Sequence, residues 1–112
     1  ENRIATVRQL SQEWNVVLLL KGAYTVIGSP DAKIFINPTG NSALATAGSG
    51  DVLSGFIGGF LAQGLSPLHA TLTGAYLHGL AAECLIQKTD SNNIVASDLF
   101  EGLRLARNVI KA

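Results

Sequence analysis

At 112 residues, 47% hydrophobic and 14% charged, the chain suits one small domain or a portion of a larger one. Eight basic and eight acidic side chains cancel, so no basic stripe exists to track nucleic acid and no like-charged block marks a disordered tail. The single cysteine, Cys84, excludes an internal disulfide, lacks metal-type partner spacing and points to a reduced, cytoplasmic setting.

The chain contains no Met and opens on "ENRIATVRQL", already helical in pattern, which suggests a piece of a longer protein. No basic segment leads into an apolar core there, so no signal peptide is visible. Ile4, Val7, Leu10 and Trp14 recur every three to four residues and predict an amphipathic helix over residues 2–14. "VVLLL" (16–20) has the pattern of a strand covered on both faces. "KGAYTVIG" breaks at Lys21-Gly22 and resumes as a strand near 24–28; "SPDAK" is turn chemistry, and "KIFIN" alternates like a hairpin strand. Helix, buried strand and hairpin together predict an α/β fold, its sheet mainly parallel with an antiparallel part.

Beyond residue 48 the pattern turns helical. The first helix is expected over 50–63, with Gly64 as the glycine after its C-terminus. Its apolar run from Val52 to Ala62 is far shorter than the roughly 20 residues of a membrane span, and Gly55, Gly58 and Gly59 suggest close helix packing. Ser66 as N-cap and Pro67 at the first helical position open a longer helix, whose apolar face is Leu68, Leu72, Ala75, Gly79, Ala82 and Ile86. "TDSNN" is a loop. "SDLFEGLRLARNVI" is a last helix, capped at Ser97 or Asp98 with Glu101 in its first turn and basic residues toward its end.

The stretch "AGSGD" (47–51) before an apolar helix is where chemistry is expected. A helix N-terminus carries unpaired N–H groups and a partial positive charge, so it attracts phosphate. Gly48 and Gly50 let backbone approach an anion, making the amides of Ser49, Gly50 and Asp51 candidate donors. Asp51 beside a bound phosphate could accept the proton of an attacking hydroxyl. The plainer alternative is a glycine-entered helix with an acidic first turn. Neither G-x-x-x-x-G-K-[ST] nor G-x-G-x-x-G occurs, which argues against a P-loop NTPase and a Rossmann dehydrogenase.

"NPTGNSALATAGSGDVLSGFIGGFLAQG", with "KGAYTVIG" before it and "GAYLHGLAAE" and "VASDLFEGL" after it, closely resembles the NAD(P)H-hydrate dehydratases of the YjeF C-terminal type, in the ribokinase-like superfamily. The resemblance covers essentially the whole chain but only the C-terminal portion of the family's single domain. It implies a repair lyase: hydrated NADH or NADPH is phosphorylated on its ring hydroxyl by ADP or ATP, with Mg2+, and phosphate is then eliminated. It also implies that Asp51 contacts the hydrated nucleotide and serves as base, that Gly50 contacts the adenine nucleotide, and that Lys21, Gly22, Ala23, Tyr24 and Thr25 form the family's K-G-A-x-T segment on that nucleotide. Metal ligands are not assigned, and a homo-oligomer is left open. With the early part of the family's substrate pocket missing, residues 1–112 alone are expected to be nearly inactive.

Two other functions compete: a ribokinase-like kinase for a vitamin precursor or sugar, which would stop after phosphoryl transfer, and an inactive nucleotide-binding fragment. Lys21 without the resemblance would be a solvent-seeking strand end. Asn37 is expected to fix a turn, and Asn41 stays open. His69 and His78, nine apart, do not have the i, i+4 spacing of a zinc helix and are expected at the surface or in packing. Cys84 is expected to be a small buried hydrophobe.

Overall fold

The computed structural model describes residues 2–41, 48–87 and 94–111, with side chains through residue 106. The first helix, α1 (Arg3–Trp14), starts where the Asn2 side chain accepts the Ala5 N–H at 3.0 Å. It stops at Asn15, which adopts the left-handed conformation with φ 53°. Of the apolar face expected for it, only Val7 is buried; Ile4 is 40% and Trp14 59% exposed, and Ser11 is buried instead. The reason lies across the contact, at Gly28. A Cβ there would fall 2.7 Å from Val7 Cγ1 and 3.0 Å from Ser11 Oγ. The seam is a backbone approach one turn long, made by a Val and a Ser four residues apart, and not a broad apolar stripe. The Ser11 hydroxyl lies 3.2 Å from the Ser29 carbonyl and 3.1 Å from that of Arg8.

Three strands follow, β1 (Leu18–Leu20), β2 (Thr25–Gly28) and β3 (Ile34–Asn37), in the order β1-β2-β3. Both pairs are antiparallel, with Leu19 opposite Ile27 and Ile27 opposite Phe35. The α/β class holds, but the mainly parallel sheet expected from the sequence does not: every described strand pair is antiparallel. Connection length decides this. Only residues 21–24 join β1 to β2, whereas a parallel crossover needs about a dozen residues or more. Val26 and Ile27 are buried in the central strand, while Leu20 is 37% exposed. Among the described residues, then, β1 is not covered on both faces.

The helical part begins with α2 (Ser49–Ala62), followed by Gln63 and by Gly64 at φ 100°, the expected glycine past a helix end. Next comes α3 (Pro67–Ile86), whose N-cap Ser66 accepts the His69 N–H at 3.2 Å, with Pro67 first in the helix as expected. A 3-10 turn (Ala96–Asp98) leads into α4 (Leu99–Lys111), where the Asp98 carboxylate accepts the Val95 N–H at 3.0 Å. The expected "TDSNN" loop and the basic end of α4 lie outside the described residues and side chains. The burial of α3 extends well beyond one stripe and includes Ala70, Thr71, Leu77, His78, Ala81 and Leu85. One core cluster joins Val52 and Phe56 to Ala81, Ala82, Leu85, Ile94 and Leu99; a second joins Leu53 and Ala75 to Ile27.

Glycine positions correct another expectation. Gly55, Gly58 and Gly59 face open space among the described residues, so they do not serve close packing here. The close approaches are at Gly74, where a Cβ would lie 2.6 Å from Ile57 Cγ1 and 3.3 Å from its backbone, and at Gly102, where it would lie 3.0 Å from Ala81 Cβ. Gly58→Ala is therefore expected to raise stability by about 0.5–1 kcal/mol through helix propensity alone. Gly74→Ala is expected to lower it by about 1–3 kcal/mol through overpacking. Urea titration of the two variants, read as midpoints at constant slope, checks both signs.

Candidate functional site

The site begins at the short connection between β1 and β2. A reversal this tight turns several carbonyls to one side, and Arg3 fills the space they leave. Its guanidinium donates to the carbonyls of Leu20 (3.1 Å), Lys21 (2.9 Å) and Tyr24 (2.9 Å). Gly22 is what allows a planar cation to lie this close, since a Cβ there would come within 2.8 Å of Arg3 Cζ. A charged donor satisfies carbonyls more strongly than a neutral one, so the K-G-A-Y-T loop is held by its backbone. No pattern in the sequence links Arg3 to residues 17 to 21 positions away.

The segment after β3 is bound just as specifically, to α3. The Asn37 amide donates to the Ala75 carbonyl at 3.1 Å, the Thr39 hydroxyl to the Tyr76 carbonyl at 2.9 Å, and the Gly40 N–H to the Glu83 carboxylate at 2.8 Å. Positions three and four apart share one face of a helix, so Ala75, Gly79 and Glu83 make a single track. Gly79 lies where the two backbones meet: a Cβ would stand 2.6 Å from the Thr39 carbonyl carbon. Asn37 is structural, as expected. Asn41 lines the cavity described below.

The glycine turn completes the site. Gly48 has φ 89°, a left-handed conformation that most residues avoid, and it delivers the chain into α2. Its carbonyl accepts the Val52 N–H at 3.2 Å, which leaves the N–H groups of Ser49, Gly50 and Asp51 ahead of the intrahelical ladder. These are the donors expected from the sequence. Asp51 is exposed and Ser49 buried.

Two side chains meet this turn from elsewhere. Lys21 Nζ lies 2.8 Å from where a Gly50 Cβ would be, so Gly50 makes room for the ammonium. His78 is 3% exposed, and its Nε2 is 2.9 Å from the Ser49 carbonyl. A carbonyl only accepts, so Nε2 carries the proton. The ring stands edge-on to Phe56, with centroids 5.7 Å apart. Burial, foremost, and the Lys21 charge push the His78 pKa below its ordinary value, against the raising effect of the Ser49 carbonyl. The imidazole is thus mostly neutral at pH 7. The expectation of a packing histidine captured its burial and missed its place against the glycine turn.

These segments surround a cavity of about 340 Å³, within the size range of small-molecule sites. Gly22, Ala23 and Thr25 form one wall, Asn37, Thr39, Gly40 and Asn41 another, and Leu53, Ala75 and His78 close it. Tyr24 is 65% exposed and outside the wall. The glycine turn and Lys21 do not line the cavity; His78, which lines it, links it to the turn through the Ser49 carbonyl. Lys21 and Asp51 form no ion pair with each other among the described residues. Also among those residues, no three His, Cys, Asp or Glu side chains group to hold a metal, and no helix is long and apolar enough to cross a membrane. Elsewhere, His69 lies at the surface with its Nδ1 2.9 Å from Ser66 Oγ. Cys84 is half-buried and not a core hydrophobe, its thiol pKa raised mainly by desolvation.

The family model for NAD(P)H-hydrate dehydratase matches residues 1–104. The chain belongs to the NAD(P)H-hydrate dehydratase family. It is 48% identical over 103 residues to the bifunctional NAD(P)H-hydrate repair enzyme Nnr of Moorella thermoacetica, covering 92% of this chain and 19% of that protein. It is 41% identical over 110 residues to the ADP-dependent (S)-NAD(P)H-hydrate dehydratase of Neisseria meningitidis, covering 97% and 37%. Its fold matches the ADP/ATP-dependent NAD(P)H-hydrate dehydratase of Bacillus subtilis, co-crystallised with ATP/Mg2+, at TM-score 0.90 and 36% identity over 96% of this chain and 39% of that one. The chain therefore spans roughly a fifth to two fifths of these relatives. The α/β, ribokinase-like class expected from the dehydratase motifs is that of the matched structure.

Arg3 supplies the first test of this geometry. Arg3→Gln is expected to speed amide exchange across residues 21–25 by about tenfold or more, the loss of one charged hydrogen bond or more. Exchange in α3 should stay unchanged, as read by mass spectrometry.

Proposed function

We propose that this chain forms the nucleotide-side portion of a single dehydratase domain that returns hydrated NADH or NADPH to the working cofactor in the cytoplasm at the expense of ADP or ATP. One observation carries the reading. The Lys21 ammonium stands over Gly50, in the first turn of α2, where the helix dipole is already positive. A cation at a helix N-terminus is unfavourable unless an anion joins it. A nucleotide phosphate would satisfy the ammonium and the amides of Gly50 and Asp51 together.

The remaining roles follow from the placement of each group. Gly22, Ala23 and Thr25 in the cavity wall suit contact with the adenine nucleotide, held in position by Arg3. Asp51, exposed beside the turn, suits the base that accepts the ring hydroxyl's proton as its oxygen attacks phosphorus. The phosphorylated ring then loses its C–O bond, an adjacent carbon gives up a proton, and the ring double bond and free phosphate result. Gly48, Ser49 and Gly50 would bear the negative charge that shifts during transfer. Magnesium accompanying the nucleotide would supply charge neutralisation; Mg2+ takes one or two carboxylates and otherwise phosphate and water, which agrees with the lack of any three-residue acidic cluster among the described residues. The rest of the substrate pocket is assigned to sequence outside this chain, as the partial span of the relatives suggests.

The deciding experiment supplies hydrated NADH and ATP or ADP to the intact protein. Free phosphate together with recovered NADH absorbance is expected; a stable phosphorylated product would instead establish a small-molecule kinase. Asp51→Asn is expected to keep nucleotide affinity and to lower kcat by about 10²-fold or more. Lys21→Ala is expected to weaken nucleotide binding, measured by calorimetry, more than it slows the chemical step.

A further inference from the structure

We infer that His78 is a positioning residue that aims the Gly50 amide at the bound phosphate. The planarity of one peptide unit links the two groups. The carbonyl of Ser49 and the N–H of Gly50 belong to the same trans peptide, so they point in opposite directions and turn together. His78 Nε2 holds that carbonyl at 2.9 Å, and the ring is itself held, 3% exposed and edge-on to Phe56. Fixing the carbonyl fixes the amide on its other side.

The same bond also acts electronically. A carbonyl that accepts a hydrogen bond polarises its peptide and strengthens the N–H as a donor. A glycine turn needs such an anchor more than other turns do. Gly48, at φ 89°, and Gly50 have no side chain to restrict rotation of the units around them. A neutral imidazole fits the task, because it donates to the carbonyl without adding a second positive charge beside Lys21.

This inference rests on the proposed function only in taking the anion to be a nucleotide phosphate. The test compares ATP and adenosine binding to the intact protein by calorimetry, for wild type, His78→Phe and His78→Gln. Phe keeps the ring and loses the donor; Gln keeps a nitrogen donor at a similar reach. His78→Phe is expected to weaken ATP about tenfold, the scale of one lost charge-assisted contact, with adenosine unchanged, and His78→Gln to restore most of the loss. Equal loss of ATP and adenosine, or no loss, would overturn the inference and return His78 to packing. Should His78→Phe fail to fold, nitrogen NMR of the wild type decides: a neutral ring protonated on Nε2 at pH 7 supports the assignment, and a proton on Nδ1 overturns it. Turnover separates the two readings. Normal repair of hydrated NADH by His78→Phe sinks only the His78 role, while the ATP-selective loss without any repair by wild type sinks only the dehydratase.

Discussion

The architecture depends on how little side chain α3 carries along its flanks. A helix of 20 residues is usually kept from other backbones by its own Cβ atoms, but α3 has Gly74 against Ile57, Gly79 against Thr39, and Ala81 against Gly102. Gly74 and Ala81, seven residues apart, make their approaches at different heights of one face, and Gly79 makes its approach on another. Interiors are packed too densely to absorb an added methyl at such points without movement. The helix therefore fixes α2, the segment after β3 and α4 at once, and the two core clusters form around it. Hydrogen bonds then refine what the small residues permit. Once Gly79 has brought Thr39 to the helix, Asn37, Thr39 and Gly40 find the Ala75 carbonyl, the Tyr76 carbonyl and the Glu83 carboxylate within reach.

Seen from α3, the site is electrostatically one-sided. The start of α2 carries the positive end of the helix dipole, and Lys21 is held over it by a loop whose carbonyls are already engaged by Arg3. Those carbonyls would otherwise offset the positive charge. By taking them up, Arg3 leaves the loop presenting Gly22 to the cavity and the Lys21 ammonium to Gly50. His78 stays neutral chiefly because burial disfavours its charged form, and the Lys21 charge adds to that. Asp51 is the one acid at this turn, exposed and unpaired with Lys21 among the described residues.

Features governed by neighbours in sequence could be read before the structure. Ser66 with Pro67, Gly64 after Gln63, and the φ-positive Gly48 follow local backbone rules, and each stands where those rules put it. The dehydratase motifs likewise marked the loop, the turn and the H-G-L-A helix that meet around the cavity. Features governed by contacts across the chain could not be read. Three-to-four spacing marked Ile4 and Trp14 as core, yet the sheet offers α1 only the gap at Gly28, which admits Val7 and Ser11. Glycines in α2 resembled packing contacts, but sequence does not distinguish a glycine that faces a neighbour from one that faces open space. The buried strand pattern suggested a parallel sheet until connection length was weighed against it. Arg3 and His78 were missed as site residues for the same reason: each acts on a backbone carbonyl, and carbonyls have no letter in a sequence.

A turn so rich in glycine must still hold an anion firmly. Preorganisation requires donors that do not have to be reoriented when charge develops, and glycine by itself works against this. Here the freedom is removed from outside. Adjacent residues Val52 and Leu53 enter different core clusters, so the first turn of α2 is anchored immediately after Asp51 on two sides. His78 anchors it at Ser49, before Gly50. Between those anchors only Gly50 and Asp51 remain, one bare enough to admit Lys21 and one carrying the carboxylate. Glycine thus provides access while the rigidity comes from α3 and the two clusters, and the site can be both open to a phosphate and stiff enough to act on it.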